Sequence, residues 1–273
     1  MTELFSKVLM RPPSPSFVNC VSPYREKYNV NFPRALEQYN LLKKILTEES
    51  IEVIEANKKP DFPDSVFIQD AVVIGNRSKH ALLCRFGEPS RRGEESDLAE
   101  LLKNQGFRIS AVKEPGTLEG GDVLITDREL VLIGESPRTN LDGIRQFANS
   151  FPDTKIIRIP EQKFIHMTAA MRYLGNGKIV IGSNVIDKSY LKNISKFTII
   201  DLVEDLSPLK SNEIFRAYML PLPSGTVLLP PGNVRTLELL RREGFRPREV
   251  DFMEYWKCNG SYMCLISPFY NNL

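Results

Sequence analysis

"LAELLKNQGFRISAV", residues 98–112, and "LELLRREGFRPREV", residues 237–250, are two copies of one pattern. Each is a leucine-rich helical stretch that stops at a glycine and continues through Phe-Arg into an extended segment. Glycine suits the left-handed position that closes a helix, because it has no Cβ to clash there. Gly106 and Gly244 lie 138 residues apart, which leaves room for three units of about 46 residues. Further units fill the series. "VFIQDAVVIGNRSKHALLCRFGEPSRRGEE" begins near 66, "LEGGDVLITDRELVLIGESPRTN" near 118, "FIHMTAAMRYLGNGKIVIGSNVIDKSY" near 164 and "AYMLPLPSGTVLLPPGNVRTLELL" near 217. Each reads as strand, tight turn, strand, polar turn and then a helix or helical turn, with "GNRSKH", "TDRE", "GNGK" and "PSGT" as hairpin connections between apolar runs.

The chain ends supply one more unit. A helix over 34–48 is expected from Leu36, Tyr39, Leu42 and Leu46 on one face, with Pro33 near its start. The final "GSYMCLISPFY" reads as a first strand without its helix, and "SFVNCVSP" with helix 34–48 would complete its unit. The expectation is a ring of five strand-rich units with helices outside, built as a single α/β domain over 1–273. No linker or low-complexity stretch argues for a boundary.

Composition narrows the function. Apolar residues make up 42% and charged residues 26%, the balance of a folded globular chain. Thirty-six Lys and Arg against 34 Asp and Glu leave a net charge of +2, no electrostatic case for nucleic acid or an anionic membrane. Runs such as "AVVIG" and "GTVLLPP" are far shorter than the roughly 18 residues of a membrane span. The start, "MTELFSKVLMRPPSPS", has an acid at position 3 and no apolar core before its prolines, unlike a secretory signal. Cysteines 20, 84, 258 and 264 show no CxxC spacing, and with two histidines make a poor zinc site and a poor disulfide scaffold. A reducing cytoplasm is the expected setting, with Cys20, Cys84 and Cys258 structural or incidental and His80 solvent-exposed in its turn.

A ring of units brings the starts of their first strands to a common centre, where ligands tend to bind. Those starts carry Asp70 in "FIQD", Glu119 in "LEGGD", His166 in "FIHMT" and Cys264 in "SYMC". Singly, a strand His or Cys is ordinarily a core residue, and an Asp after a strand a turn residue. Glu119, between a leucine and two glycines, has no packing role to explain it. Together they suggest chemistry. A thiolate is a strong nucleophile, an imidazole can shuttle protons, and carboxylates can bind a cation such as a planar guanidinium.

These residues lie in blocks that resemble a known family. "FPDSVFIQDAVV" (62–73), "GEPSRRGE" (87–94), "GTLEGGDVL" (116–124), "LIGESPRTN" (132–140), "IHMTAAM" (165–171), "VRTLELLRREGF" (234–245) and "SYMCLISPF" (261–269) are similar, in order, to the guanidino-group-modifying enzymes. The dimethylarginine dimethylaminohydrolases are the nearer group and the arginine deiminases the more distant one. The resemblance implies a five-bladed α/β propeller, the pentein fold, and a slight leaning to a homodimer. It implies Cys264 as nucleophile, His166 as general acid and base, and Glu119 as the residue that orients His166. Asp64 and Asp70 would bind the substrate's guanidinium, and Arg91 and Arg138 its carboxylate. No metal or organic cofactor would be needed, and the product would be citrulline with an amine. The segment 11–16, "RPPSPS", falls where relatives carry a mobile lid.

One position departs from the family: Gln69 precedes Asp70 where the methylarginine hydrolases carry Glu and the deiminases Arg. It leaves the choice between methylated arginine, arginine and another guanidine open. Two further readings are weighed. A propeller of this type also serves the ribosomal anti-association initiation factor, a binding protein, but such a protein has no use for Cys, His and Glu in equivalent strands. A transfer reaction with an amine in place of water would use the same site. A serine hydrolase is disfavoured by the lack of a GxSxG turn, and a cysteine protease by the lack of its local signature.

Overall fold

The structure is a computed structural model, and it describes residues 4–22, 27–126, 130–160, 165–182, 190, 197–207 and 216–273. The chain opens with β1 (Lys7–Met10), α1 (Phe32–Glu48) and β2 (Glu52–Glu55). The second module is β3 (Val72–Gly75), β4 (His80–Leu83), α2 (Leu98–Asn104) and β5 (Arg108–Ala111). The third is β6 (Val123–Ile125), β7 (Leu130–Gly134), α3 (Leu141–Ser150) and β8 (Lys155–Ile159). The fourth contains β9 (Met171–Gly175), β10 (Lys178–Ile181) and β11 (Thr198–Asp201). The fifth is β12 (Leu220–Pro221), β13 (Thr226–Leu229), α4 (Val234–Arg242) and β14 (Arg246–Glu249). After a short α5 (Met253–Lys257), β15 (Ser267–Tyr270) returns to the first module.

Every module has the same pairing. Its first strand runs antiparallel to the second, which runs parallel to the third: β3 with β4 with β5, β6 with β7 with β8, β9 with β10 with β11, β12 with β13 with β14. The closing module repeats it as β15, β1 and β2, and β15 also pairs parallel with β3 at Phe269↔Ile74. The chain ends are therefore stitched into one six-stranded sheet. A helix makes the crossover between the parallel second and third strands wherever that connection is described, as a parallel pair requires.

The middle strands show why the units form a ring. β7, "LVLIG", is buried along its whole length, with Val131 and Ile133 in the core shared with the second module and Leu130 and Leu132 in the core shared with the fourth. A strand's side chains alternate between its two faces, so an uninterrupted apolar run needs an apolar neighbour on both sides. Five such cores separate the five modules. The third strands are outer edges and their sequences say so: β14 is "RPRE", mostly exposed, with Pro247 tolerated where no further strand needs its N–H. Gly106 and Gly244 close α2 and α4 at φ of +82° and +86°, the left-handed conformation expected of them. The ring of five units expected from the repeats is found, and it is the five-bladed α/β propeller that the resemblance implies.

Some local expectations change. The closing module's second strand is Lys7–Met10, not "SFVNCVSP"; Pro15 opens a 3-10 turn over Pro15–Asn19 that takes up the first half of that stretch. His80 is half-buried rather than solvent-exposed. Its Nδ1 lies 2.9 Å from the Ser150 carbonyl oxygen, its Nε2 2.9 Å from Ser110 Oγ, and its ring against Phe151. Cys20 and Cys258 form a disulfide, so the cysteine set is not a row of incidental thiols, and it no longer supports a reducing cytoplasm. Spacing could not show this pair, because 238 residues separate its members. Cys84 and Cys264 are free. The "TDRE" turn and the helical turn expected after Ile181 lie largely outside the described residues. No described helix is long and apolar enough to cross a membrane.

Candidate active site

At the entrance to four of the five first strands the backbone makes a 3-10 turn, and each turn points a reactive side chain at the axis of the ring. The turns are Ile68–Ala71, Gly120–Asp122, Met167–Ala169 and Tyr262–Leu265. In each, the residue before the turn accepts from the N–H three residues on: Phe67 from Asp70, Glu119 from Asp122, His166 from Ala169 and Ser261 from Cys264. Glu119 and His166 thus share the opening position, and Asp70, Asp122 and Cys264 share the third. The equivalence expected from the sequence holds for the turns, but over two positions rather than one and before the strands rather than in them.

The double glycine of "EGGD" is what lets these turns converge. A Cβ on Gly120 would stand 2.0 Å from the Gln69 carbonyl oxygen, and one on Gly121 2.5 Å from the His166 ring and 2.8 Å from Asp70 Oδ1. With no Cβ present, the Gly121 N–H donates to Asp70 Oδ1 at 3.1 Å. His166 Nε2 lies 2.8 Å from Glu119 Oε2, and its Nδ1 lies 3.7 Å from Asp70 Oδ1. Glu119, with no exposed surface, also accepts from the Gly87 N–H at 3.0 Å and from Arg138 Nη1 at 3.3 Å.

The electrostatics follow from this packing. Burial alone would push the His166 imidazole down, but the charges of Asp70, Glu119 and Asp122 and the hydrogen bond to Glu119 outweigh it and raise the ring to about 9. Burial opposes ionisation of Glu119 as well, yet His166, Arg91 and Arg138 hold it below the usual carboxylate range. At neutral pH the pair is an imidazolium on a carboxylate. The Cys264 thiol is pushed up, first by burial and then by the charge of Asp70, so the resting sulfur keeps its proton. Asp64 is also raised, by burial, although the Arg91 charge and the Val21 N–H oppose this.

Asp64, Asp70, Arg91, Arg138, His166 and Cys264 line one small cleft, with Glu119 directly behind His166. All seven residues singled out in the sequence are brought together. Arg91 is already engaged: it is 6% exposed, donates from Nη1 to Asp70 Oδ2 at 2.9 Å, and grips Glu94 from Nε and Nη2 at 3.0 and 2.9 Å. The segment 11–16 is no loose flap, since buried Arg11 donates to the Glu94 carbonyl and to Asp97. The part that reaches the cleft is further on, at Val21, next to the disulfide.

Sequence reasoning passed over two residues. Glu94 fixes Arg91, and burial raises it to about 7 against the pull of that arginine. Asp122 receives the Met167 N–H at 2.8 Å and the Ser136 hydroxyl at 2.6 Å, tying the turn that carries Glu119 to the one that carries His166. The signal for Asp122 was its place in "EGGD", matching Asp70 in its own turn. Asp70, Glu119 and His166 also offer ligand atoms within 4.8 Å of one another, the geometry a metal ion needs. Arg91, Arg138 and the His166 ring are already paired with these carboxylates, which disfavours a metal ion there.

Comparison with known proteins gives the arrangement its place. A family model described as N,N dimethylarginine dimethylhydrolase, eukaryotic, matches residues 18–206. An uncharacterized protein of Aeropyrum pernix is 38% identical over 99% of this chain and 98% of its own length. An N(G),N(G)-dimethylarginine dimethylaminohydrolase of Streptomyces coelicolor is 31% identical over 95% of each chain. Among solved structures, a cysteine-to-serine variant of the Pseudomonas aeruginosa dimethylarginine dimethylaminohydrolase complexed with citrulline superposes with a TM-score of 0.83 at 26% identity, covering 97% of this chain and 100% of that one. This propeller, with its ring of turns bearing Asp, Glu, His and Cys, belongs to the dimethylarginine dimethylaminohydrolase family.

Proposed function

We propose that the chain, as one catalytic domain over 1–273, hydrolyses the guanidino group of an N-methylated arginine to citrulline and a methylated amine. One observation carries this reading: a free thiol, an imidazolium on its carboxylate, and two further buried acids open into a single small cleft. The acids suit a planar cation. A guanidinium docked on Asp70 offsets the charge that keeps the Cys264 thiol protonated, so substrate arrival itself favours the thiolate, whose proton is released to solvent because His166 is already protonated.

Cys264 Sγ then bonds to the guanidinium carbon. His166 gives its proton to the departing nitrogen, the C–N bond breaks, and an amine leaves behind an S-alkylthiouronium. The neutral imidazole takes a proton from water, whose oxygen attacks the same carbon. The C–S bond breaks, the second proton of that water passes to the sulfur, and citrulline leaves with the imidazolium and the resting thiol restored. Glu119 keeps His166 oriented and charged for the first step. Arg138 is the better placed of the two arginines for the substrate carboxylate, because its contacts to Glu119 and Glu88, at 3.3 and 3.8 Å, are longer than the 2.9 Å pairs by which Arg91 holds Asp70 and Glu94.

Arginine itself is the second reading, and Gln69, which matches neither the Glu of the methylarginine hydrolases nor the Arg of the deiminases, is the residue that leaves it open. Gln69 is 4% exposed and does not line the cleft, so its departure from the family acts on the surroundings of Asp70, not by touching substrate. Citrulline release from asymmetric dimethylarginine, monomethylarginine and arginine, with Cys264→Ser as blank, separates the readings. A much higher kcat/KM for the methylated compounds is expected; a preference for arginine would make this a compact deiminase. No release from any of them would overturn the proposal.

A further inference from the structure

Arg172 is among the largest fully buried side chains of the molecule, and its Nε and Nη1 have no hydrogen-bond partner. No carboxylate of the described residues forms an ion pair with it. Its position makes this more pointed. It is the second residue of β9, the strand entered directly from the turn that follows His166. The second residues of β3 and β6, Val73 and Leu124, are ordinary members of the apolar cores. The fold therefore does not require a cation there. Burying an unpaired charge is costly, and a cost retained beside a reactive centre is a mark of function.

The ionisable groups within electrostatic reach of Arg172 are Cys264, Tyr270 and Tyr218. Of these, Cys264 is the one that becomes an anion in the reaction proposed above. Around the sulfur, Asp70 stands on the adjoining turn, Ser261 on its own turn at 3.7 Å, and His166, Asp64, Arg91 and Arg138 across the cleft. Arg91 and Arg138 are each paired with carboxylates, and His166 with Glu119. Arg172 is the cation of this neighbourhood with no carboxylate of the described residues to neutralise it.

We propose that Arg172 is the counter-charge of the Cys264 thiolate, a positioning residue that acts on the nucleophile from inside the propeller and never touches substrate. The inference rests on the reading of Cys264 as the nucleophile. Asp70 and Arg172 then act on the sulfur in opposite senses, the first favouring the thiol and the second the thiolate. Substrate neutralises Asp70 on arrival and leaves Arg172 unopposed.

The test is the pH dependence of iodoacetamide alkylation of the full-length protein, with the Cys264 peptide followed by mass spectrometry. Cys20 and Cys258 are disulfide-bonded and Cys84 is buried, so the reaction reports on Cys264. In Arg172→Met the midpoint should rise by about one pH unit, a roughly tenfold slower alkylation below both midpoints. Arg172→Lys should stay near the parent, and kcat should fall in the methionine variant with KM little changed. A folded Arg172→Met with an unmoved midpoint overturns the proposal, as does a lysine variant shifted as far as the methionine one. Should Met and Gln variants both fail to fold, the arginine is structural and the proposal falls. Failure of the nucleophile itself would show differently, as citrulline released by Cys264→Ser.

Discussion

Glu119 is the residue on which the chemistry of the site turns, because with the charge of Asp70 its own charge and hydrogen bond keep His166 protonated. Replacing it by Gln keeps the shape and removes the charge, so the imidazole should fall from about 9 toward its ordinary value near 6.5. Expulsion of the amine needs the protonated ring. The alkaline limb of kcat in Glu119→Gln should therefore move down in pH, and activity at pH 8 should drop by at least about tenfold. An unmoved limb would show that the carboxylate does not govern the imidazole. The same pairing bears on stability. His166 is raised above its unfolded value, so its contribution is fully present below about pH 6.5 and is lost as pH rises through about 9. Thermal unfolding across that window should show a decline that His166→Gln lacks. These residues were legible one at a time, since Asp, Glu, His and Cys stand out in apolar strands. Their partners were not: nothing in "PSRRGE" tells that Arg91 turns inward to Asp70 and Glu94.

The turns, more than the strands, make the site. Each of the four carries its side chain to the axis because a short 3-10 segment redirects the chain just before the strand begins. Gly121 shows how little slack they have. Gly121→Ala would drive a methyl into the His166 ring and Asp70 Oδ1, both closer than 3 Å, and the histidine must give way. A loss of about 100-fold in kcat is expected, with a cooperative melt retained, because the neighbouring strands and cores are untouched. Near-parent activity would mean that His166 has freedom the packing denies it. The strands themselves were readable from apolar runs and turn dipeptides, and the crossover helices from their glycine stops. The turns were not, because a 3-10 segment of three or four residues leaves no periodicity. "SFVNCVSP" is no strand for a related reason: its apolar residues suggest one, but the chain winds there into the short 3-10 turn Pro15–Asn19.

At the scale of the whole molecule the question is what keeps a ring of five modules closed. The closing module is assembled from both chain ends, with β15 against β1 on one side and β3 on the other, so the last strand is where the ring is joined. The Cys20–Cys258 disulfide lies across the same junction, binding the stretch after the first 3-10 turn to the loop after α5. Closing a loop of 238 residues removes much of the freedom of the unfolded chain, worth on the order of 2–5 kcal/mol. It also fixes one wall of the cleft, because Val21, Cys258, Asn259 and Gly260 all line it and the Val21 N–H holds Asp64 at 2.8 Å. The double variant Cys20→Ser, Cys258→Ser should therefore melt about 5–10 °C lower than the oxidised protein. It should also bind substrate more weakly, with KM raised more than kcat is lowered, since the nucleophile and His166 belong to turns the bridge does not hold. Reducing the native protein should reproduce both effects, and the double variant should be indifferent to reductant. Equal melting temperatures for oxidised, reduced and double-serine protein would show that β15 alone closes the ring. A lowered melting temperature with an unchanged KM would confine the bridge to stability and leave the cleft wall to be held by its hydrogen bonds.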